Sequence, residues 1–288
     1  MKNQNFVNKT HPEKSTVLLQ VRNLNFSWGK KEVLRDINFS IDPNQIVAVL
    51  GKNGAGKTTL IKCLNRVLSP KTGQIRISST EISELSLLEL SKLVSYVPQS
   101  VRTSFSMDVF DVVLLGRRPH ISWRISSDDR DRVSTTLRRF GLQDFAFRKF
   151  DRLSGGERQR VVIAKTVAQD PSIFLLDEPT SDLDLRNQIA VMKGFREIVS
   201  NSESGKSAII AIHDINIAAR FADRILLLDD GKIIADGTPT EVLTQENISK
   251  VFEVSSEIIP ESGTSPLKVW AEDEISWEEI VKKGEKNE

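Results

Sequence analysis

The chain has 288 residues, 39% hydrophobic and 27% charged, and a net charge of +1 at pH 7, the profile of a folded globular protein with room for one large domain or two smaller ones. So small a charge supplies no cluster of excess cations and argues against nucleic acid as the main partner. Cys63 is the only cysteine, so no intrachain disulfide can form, and a reducing compartment is expected.

Residues 1–16 lack the apolar core of a signal peptide and read as a tail. From Val17 to Ile41 short apolar stretches alternate with polar residues, with turn signals at Gly29 and Pro43, which predicts a small antiparallel sheet. Ile46 to Leu50 is a continuous apolar run ending at a glycine, the mark of a parallel strand buried on both faces. Next, Gly51-Lys52-Asn53-Gly54-Ala55-Gly56-Lys57-Thr58 satisfies the phosphate-loop pattern, and a helical pattern runs from Thr58 to Leu68. In such a loop the glycines let successive N–H groups face one anion, and the following helix adds its positive end. Lys57 is expected to reach the β and γ phosphates of a nucleotide and Thr58 to ligate Mg²⁺, with Thr59 beside them. Cys63, early in the helix, reads as a small buried hydrophobe.

Leu93 to Val97, Ile173 to Leu176, Ala208 to Ile212 and Ile225 to Leu228 repeat the buried-strand pattern with helical segments between several of them. The expected fold class is therefore α/β, a parallel sheet covered on both faces. Ser100 to about Val167 breaks the rhythm: it holds helical patterns at Asp108 to Leu115, Ser127 to Phe140 and Gly155 to Ala168 and no buried strand. It reads as an inserted helical subdomain. After the strand at Ile173 to Leu176 two carboxylates emerge, Asp177 and Glu178, at the sheet edge where ligands bind in such folds. Asp177 is expected to hold Mg²⁺ and Glu178 to act as general base toward water. Residues 246–288 are acidic and interrupted by Pro260, Gly263 and Pro266; they read as a packed appendage with a disordered end. The longest apolar runs fall far short of the roughly 18 residues a membrane helix needs.

Taken with Leu153-Ser154-Gly155-Gly156-Glu157-Arg158-Gln159, the phosphate loop and the Asp177-Glu178 pair resemble the nucleotide-binding subunit of an ATP-binding cassette (ABC) transporter over about Val17 to Leu243. The resemblance implies a P-loop NTPase (RecA-like) core, 17–98 and 168–245, with an antiparallel β subdomain and a helical subdomain at 99–167. It implies an ATPase that uses ATP and Mg²⁺. In that family the signature stretch, here Ser154, Gly155, Gly156 and Glu157, binds the γ-phosphate of ATP held by a second subunit. The physics agrees, because a serine and two glycine amides at a helix start form an anion site, while the same chain already owns a phosphate loop. Two copies face to face, a homodimer, are implied. Glu157 replaces the usual Gln of the signature.

The resemblance also places Gln99 on Mg²⁺ and attacking water, His213 on the γ-phosphate and Trp28 against adenine. Read alone, each would be an ordinary loop amide, a strand-end histidine and a core or surface tryptophan. Ser181-Asp182-Leu183-Asp184 is similar to the loop that runs along the dimer interface, with Asp182 where most relatives have a small residue. Val113 to His120, Trp123 and Leu183 to Gln188 look like the ATPases of importers for iron-siderophore, haem and cobalamin, whose integral membrane permease subunits dock near this segment and whose substrate-binding protein acts indirectly. That implies a peripheral position on the cytoplasmic face of the membrane. Molybdate or tungstate import, a soluble ATPase of iron–sulfur assembly and a nucleotide-binding regulator remain open alternatives on this reading.

Overall fold

The computed structural model describes residues 17–100 and 106–274; the predicted tail and the last residues of the predicted appendage lie outside them. Strands β1 (Leu19–Trp28) and β2 (Lys31–Ile41) pair antiparallel. Their alternating pattern buries Leu19, Val21, Leu24 and Phe26 on one face, as a half-buried sheet requires. Strand β3 (Ile46–Leu50) carries the phosphate loop into α1 (Lys57–Leu64). The helix is shorter than the predicted Thr58 to Leu68, because Arg66 turns left-handed at φ 54° just past the cap residue Asn65. Arg66 then donates Nη1 to the Ile82 and Leu85 carbonyls.

Strands β4 (Thr72–Ile77) and β5 (Thr80–Glu81) complete a four-stranded antiparallel sheet in the order β2-β1-β4-β5. Helix α2 (Leu87–Leu93) leads into β6 (Val94–Val97), so Leu93, expected to open the strand, closes a helix instead. The helical insertion comprises α3 (Val109–Leu114), α4 (Ser127–Arg139) and α5 (Gly155–Ala168), with no strand among its described residues beyond one bridge between Asp108 and Lys149. The chain re-enters the core through β7 (Ile173–Asp177), α6 (Leu185–Val199), β8 (Ser207–Ala211), α7 (Ile215–Phe221), β9 (Arg224–Asp229) and β10 (Lys232–Gly237).

The main sheet has the order β10-β9-β3-β8-β7-β6, parallel except for the β9–β10 pair. Alternation splits its strands between two cores. Ile46, Ala48, Leu50, Phe174, Leu176, Ala208, Ile210, Ile225 and Leu227 face the helical side. Val47, Val49, Ile173, Leu175, Ile209, Ala211, Leu226 and Leu228 face α1 and the antiparallel sheet. Every residue of β3 and β7 is buried, which is why Ile46 to Leu50 and Ile173 to Leu176 read as unbroken apolar runs.

Helices α8 (Pro239–Val242) and α9 (Gln245–Phe252) and the antiparallel hairpin β11 (Val254–Ile259) and β12 (Lys268–Glu274) follow. The predicted boundary after residue 245 falls on the first residue of α9, whose Ile248 and Val251 are fully buried in the same core as α6 and α7. Among the described residues no helix is long and apolar enough to cross a membrane.

Candidate active site

Because β6, β7, β8 and β3 are adjacent and parallel, their C-terminal ends lie side by side. Register pairs Val97 with Leu176, Asp177 with Ala211 and Ala211 with Val49. The residues that follow these strands are Gln99, Glu178, His213 and the phosphate loop. The predicted residues therefore converge at one edge of the sheet, the edge where ligands bind in parallel α/β proteins.

Two glycines shape the loop through contacts that no side chain could share. A Cβ on Gly51 would stand 2.2 Å from the Leu228 carbonyl oxygen, and one on Gly56, whose φ is 109°, would stand 2.9 Å from Leu34 Cδ2 and 3.0 Å from the Val33 carbonyl oxygen. The loop thus presses against β9 on one side and β2 on the other. Lys57, 6% exposed, curls back and donates Nζ to the carbonyls of Gly51 at 2.7 Å and Lys52 at 3.2 Å. Burial lowers its pKa, opposed by the charges of Glu178 and Asp177.

Thr58 Oγ1 donates to Asp177 Oδ1 at 2.9 Å, joining α1 to the end of β7. Asp177 is 1% exposed, and burial raises its pKa against the Thr58 hydrogen bond. Glu178 leaves the strand with a left-handed φ of 48° and its N–H on the Ala211 carbonyl at 3.0 Å, a sparsely populated conformation of the kind that clusters at functional sites. Its Oε2 accepts from Gln99 Nε2 at 3.0 Å and lies 3.7 Å from His213 Nδ1.

A cleft of about 470 Å³ opens over this edge. Trp28, Asn53, Gly54, Gly56, Lys57, Thr58, Thr59, Gln99 and Glu178 line it, as expected of binding residues. Trp28 is 55% exposed and held edge-on by Phe26, with ring centroids 5.1 Å apart and planes at 80°. Its open face is available for stacking. Three phosphate-loop residues do not line the cleft. Gly51 is buried under Leu228, Ala55 packs into the core at 3% exposure, and Lys52 sends its side chain away to Glu253 Oε1 at 3.1 Å. What Lys52 can offer an anion is main-chain N–H.

Lys31, Glu32, Val33, Asp230 and Gly231 also line the cleft and carry no motif that marks them. Asp230 and Gly231, both at positive φ, make the two-residue turn between β9 and β10. An Asp-Gly pair between apolar runs signals such a hairpin. Its use as a cleft wall depends on contacts across the chain: Gly231 donates N–H to the Ala55 carbonyl at 3.2 Å, and its carbonyl accepts from Arg35 N at 2.8 Å.

The signature residues stand apart from this cleft, none of them lining it. Ser154 caps α5: its Oγ accepts from Glu157 N at 3.3 Å while its own N–H donates to Glu157 Oε2 at 2.8 Å. Glu157, whose pKa these hydrogen bonds lower, spends its carboxylate on the cap. It holds the helix start rather than offering a donor. Gly155 and Gly156, as the first two helical residues, keep amides with no intrahelical acceptor. A Cβ on Gly156 would lie 3.3 Å from the Asp182 carbonyl oxygen, so the signature helix abuts the Ser181 to Asp184 loop. That loop is fixed by Ser181 Oγ on the Glu178 carbonyl at 3.1 Å and Gln188 Nε2 on the Thr180 and Leu183 carbonyls at 3.1 and 3.0 Å. Cys63 is fully buried, and burial pushes its thiol up to about 12.

The ABC transporter family model matches residues 34–181. This chain belongs to the ABC transporter family. It is 43% identical over 244 residues to an uncharacterised ABC transporter ATP-binding protein of Methanocaldococcus jannaschii, covering 85% of this chain and 94% of that one. It is 36% identical over 257 residues to a hemin import ATP-binding protein of Bordetella avium, covering 85% and 97%. Among solved structures it superposes with a TM-score of 0.77 on a chain of an ABC transporter described as metal-chelate type, in an inward-facing conformation, at 29% identity and with 90% and 98% coverage. The cassette is accordingly an ATP-binding ATPase with the P-loop fold.

Proposed function

We propose that this cassette is the ATP-hydrolysing subunit of an importer for a metal chelate, of the iron-siderophore, haem or cobalamin kind, and that it works as a head-to-tail dimer. The observation that carries the dimer is the separation of two anion sites in one chain: a complete phosphate-loop cleft lacks the signature, while the exposed Ser154 and Gly155 offer unspent donors elsewhere. ATP in the cleft of one copy is then covered by Ser154, Gly155 and Gly156 of the other.

Within the cleft, Trp28 stacks on adenine and the loop amides of Asn53, Gly54, Gly56, Lys57, Thr58 and Thr59 surround the phosphates. Lys57 exchanges its Gly51 and Lys52 carbonyls for the β and γ phosphates. The Thr58 hydroxyl and the Asp177 carboxylate, 2.9 Å apart, and the Gln99 side-chain oxygen would hold Mg²⁺, which prefers such hard oxygen donors. Bound there, Mg²⁺ would neutralise charge on the phosphate oxygens. Glu178 takes a proton from water as its oxygen attacks the γ-phosphorus, and the bond to the ADP oxygen breaks to leave phosphate. His213 contacts the γ-phosphate, and Gln99, bonded to Glu178, orients the water.

The importer reading is supported by the hemin-import and metal-chelate names of the similar proteins and by the helical subdomain. There Gly116 and Arg117 are packing residues: a Cβ on Gly116 would meet the Lys165 carbonyl oxygen at 2.1 Å, and Arg117 is buried on Asp129 and the Ala168 carbonyl. Leu115, Ile125 and the 98% exposed Trp123 instead face outward. Beside them runs an apolar groove of about 340 Å³ lined by Met107, Leu114, Leu115, Ile121 and Ile125, suited to a helix from a membrane permease. The subunit would thus sit peripherally on the cytoplasmic face, meeting a substrate-binding protein only through the permease. Capture from detergent-solubilised membranes with the full chain as bait tests this. Recovery of a polytopic membrane protein supports the reading, and recovery of a soluble iron–sulfur scaffold alone overturns it.

A further inference from the structure

His213 lies in the short connection between Ala211, which ends β8, and Ile215, which begins α7. Its ring is 56% exposed and stands 3.7 Å from Glu178 Oε2. Little packing holds such a side chain, so its place depends on the backbone that carries it. On the strand side, Ile212 N donates to the Val49 carbonyl at 3.1 Å. On the helix side, the Asp214 carboxylate accepts from the amides of Asn216 at 2.8 Å and Ile217 at 3.0 Å.

Asn216 reaches outward from that first helical turn. Its Nδ2 donates to the Val269 carbonyl at 3.2 Å and its Oδ1 accepts from Val269 N at 2.9 Å. One side-chain amide thus satisfies both main-chain groups of a single residue of β12, the pairing a further strand would give. Val269 is 8% exposed and belongs to the large core together with Leu267, and unpaired polar groups at a part-buried site are costly. The same C-terminal segment touches the phosphate loop through Lys52 and Glu253. Both of those side chains are about half exposed, and pairs of that kind hold little. The Asn216 clamp is the stronger tie.

We propose that Asn216 is a positioning residue for His213: through Val269 the β11–β12 hairpin fixes the first turn of α7 and, with it, the loop that presents His213 to the γ-phosphate. This rests on the reading of His213 as a γ-phosphate contact. The tie couples the C-terminal hairpin to the edge of the sheet that carries His213 and Glu178.

The test is a double-mutant cycle on the full-length chain, with single-turnover phosphate release as readout and ATP affinity and thermal melting measured alongside. Asn216→Leu should slow release about ten- to hundredfold, the loss that a displacement near 1 Å brings, with ATP affinity unchanged. In a His213→Ala background the same substitution should cost nothing further. An equal loss in both backgrounds would show that Asn216 acts on stability or elsewhere and would overturn the proposal. Full-speed Asn216→Leu beside a slow His213→Ala would overturn it alone, whereas a full-speed His213→Ala would remove the reading of His213 and the proposal with it. If Asn216→Leu does not fold, Asn216→Asp, which keeps the volume and the acceptor, takes its place in the cycle, and the same results support or overturn the proposal.

Discussion

Gln99 Nε2 donates to Glu178 Oε2 at 3.0 Å, linking the residues that follow the neighbouring strands β6 and β7. The carboxylate assigned to activate water is therefore aligned by the amide assigned to orient it. Gln99→Ala should leave ATP affinity within about twofold and slow hydrolysis by about tenfold or more, the scale of a lost positioning contact. Parallel titration calorimetry and phosphate-release assays separate the two effects, and a loss of affinity matching the loss of rate would place Gln99 in binding instead.

Removing the carboxylate proposed as the base should be more severe. Glu178→Gln keeps the shape and the contact to Gln99 but cannot accept a proton, and general bases contribute about 10²- to 10⁴-fold. That variant should bind ATP, accumulate as a closed dimer on size exclusion, and release almost no phosphate. Near-normal release would take Glu178 out of the role.

Lys57 is assigned to an earlier step, binding. Its ammonium is held between two carbonyls and desolvated, so it is poised to exchange them for phosphate oxygens. A charged hydrogen bond is worth roughly 1.5–3 kcal/mol, and Lys57→Ala should weaken ATP affinity by about ten- to hundredfold. Unchanged affinity by calorimetry would count against the phosphate-loop assignment.

Away from the cleft, Asp129 and Arg117 form a buried pair at 3.0 Å between α4 and the segment after α3. Hydrogen bonds from the Ser126 hydroxyl first, then the Ser126 amide and Arg117, hold the Asp129 carboxyl down at about 2 despite burial. Its folded pKa lies below the unfolded value of about 3.9, so its contribution is present above pH 4 and lost as pH falls through 2, about 2.6 kcal/mol in all. Asp129→Ala should cost more, about 3 kcal/mol at pH 7, because it strands the Arg117 cation. The difference from wild type in denaturant melts should shrink on acidification toward pH 2, and a difference independent of pH would exclude the charge as its source.

Much of this site is written locally. Helix α5 begins where its sequence predicts, because Ser154 and Glu157 spell a capping box, and Ile46 to Leu50 and Ile173 to Leu176 show as unbroken apolar runs because both faces of β3 and β7 are buried. Elements with weaker signals escaped. Thr72–Ile77 opens on a threonine and a glycine and buries only Ile75 and Ile77, so β4 shows no run, and α1 looked longer than it is because Arg66 breaks from helical φ without a glycine or proline to announce it. The cleft wall at Asp230 and Gly231, the departure of Lys52 to Glu253 and the clamp of Asn216 on Val269 join residues far apart in the chain. No local pattern records such contacts.

Mixing two inactive variants decides whether each catalytic site is shared between two copies. A Lys57→Ala chain keeps its signature, and a Ser154→Arg chain keeps its phosphate loop, so a mixed head-to-tail dimer regains one intact site while each pure dimer has none. Random pairing of two such chains in a symmetric dimer predicts single-turnover phosphate release of about a quarter of wild type from an equal mixture. Release no greater than that of the two variants measured apart would contradict a shared site.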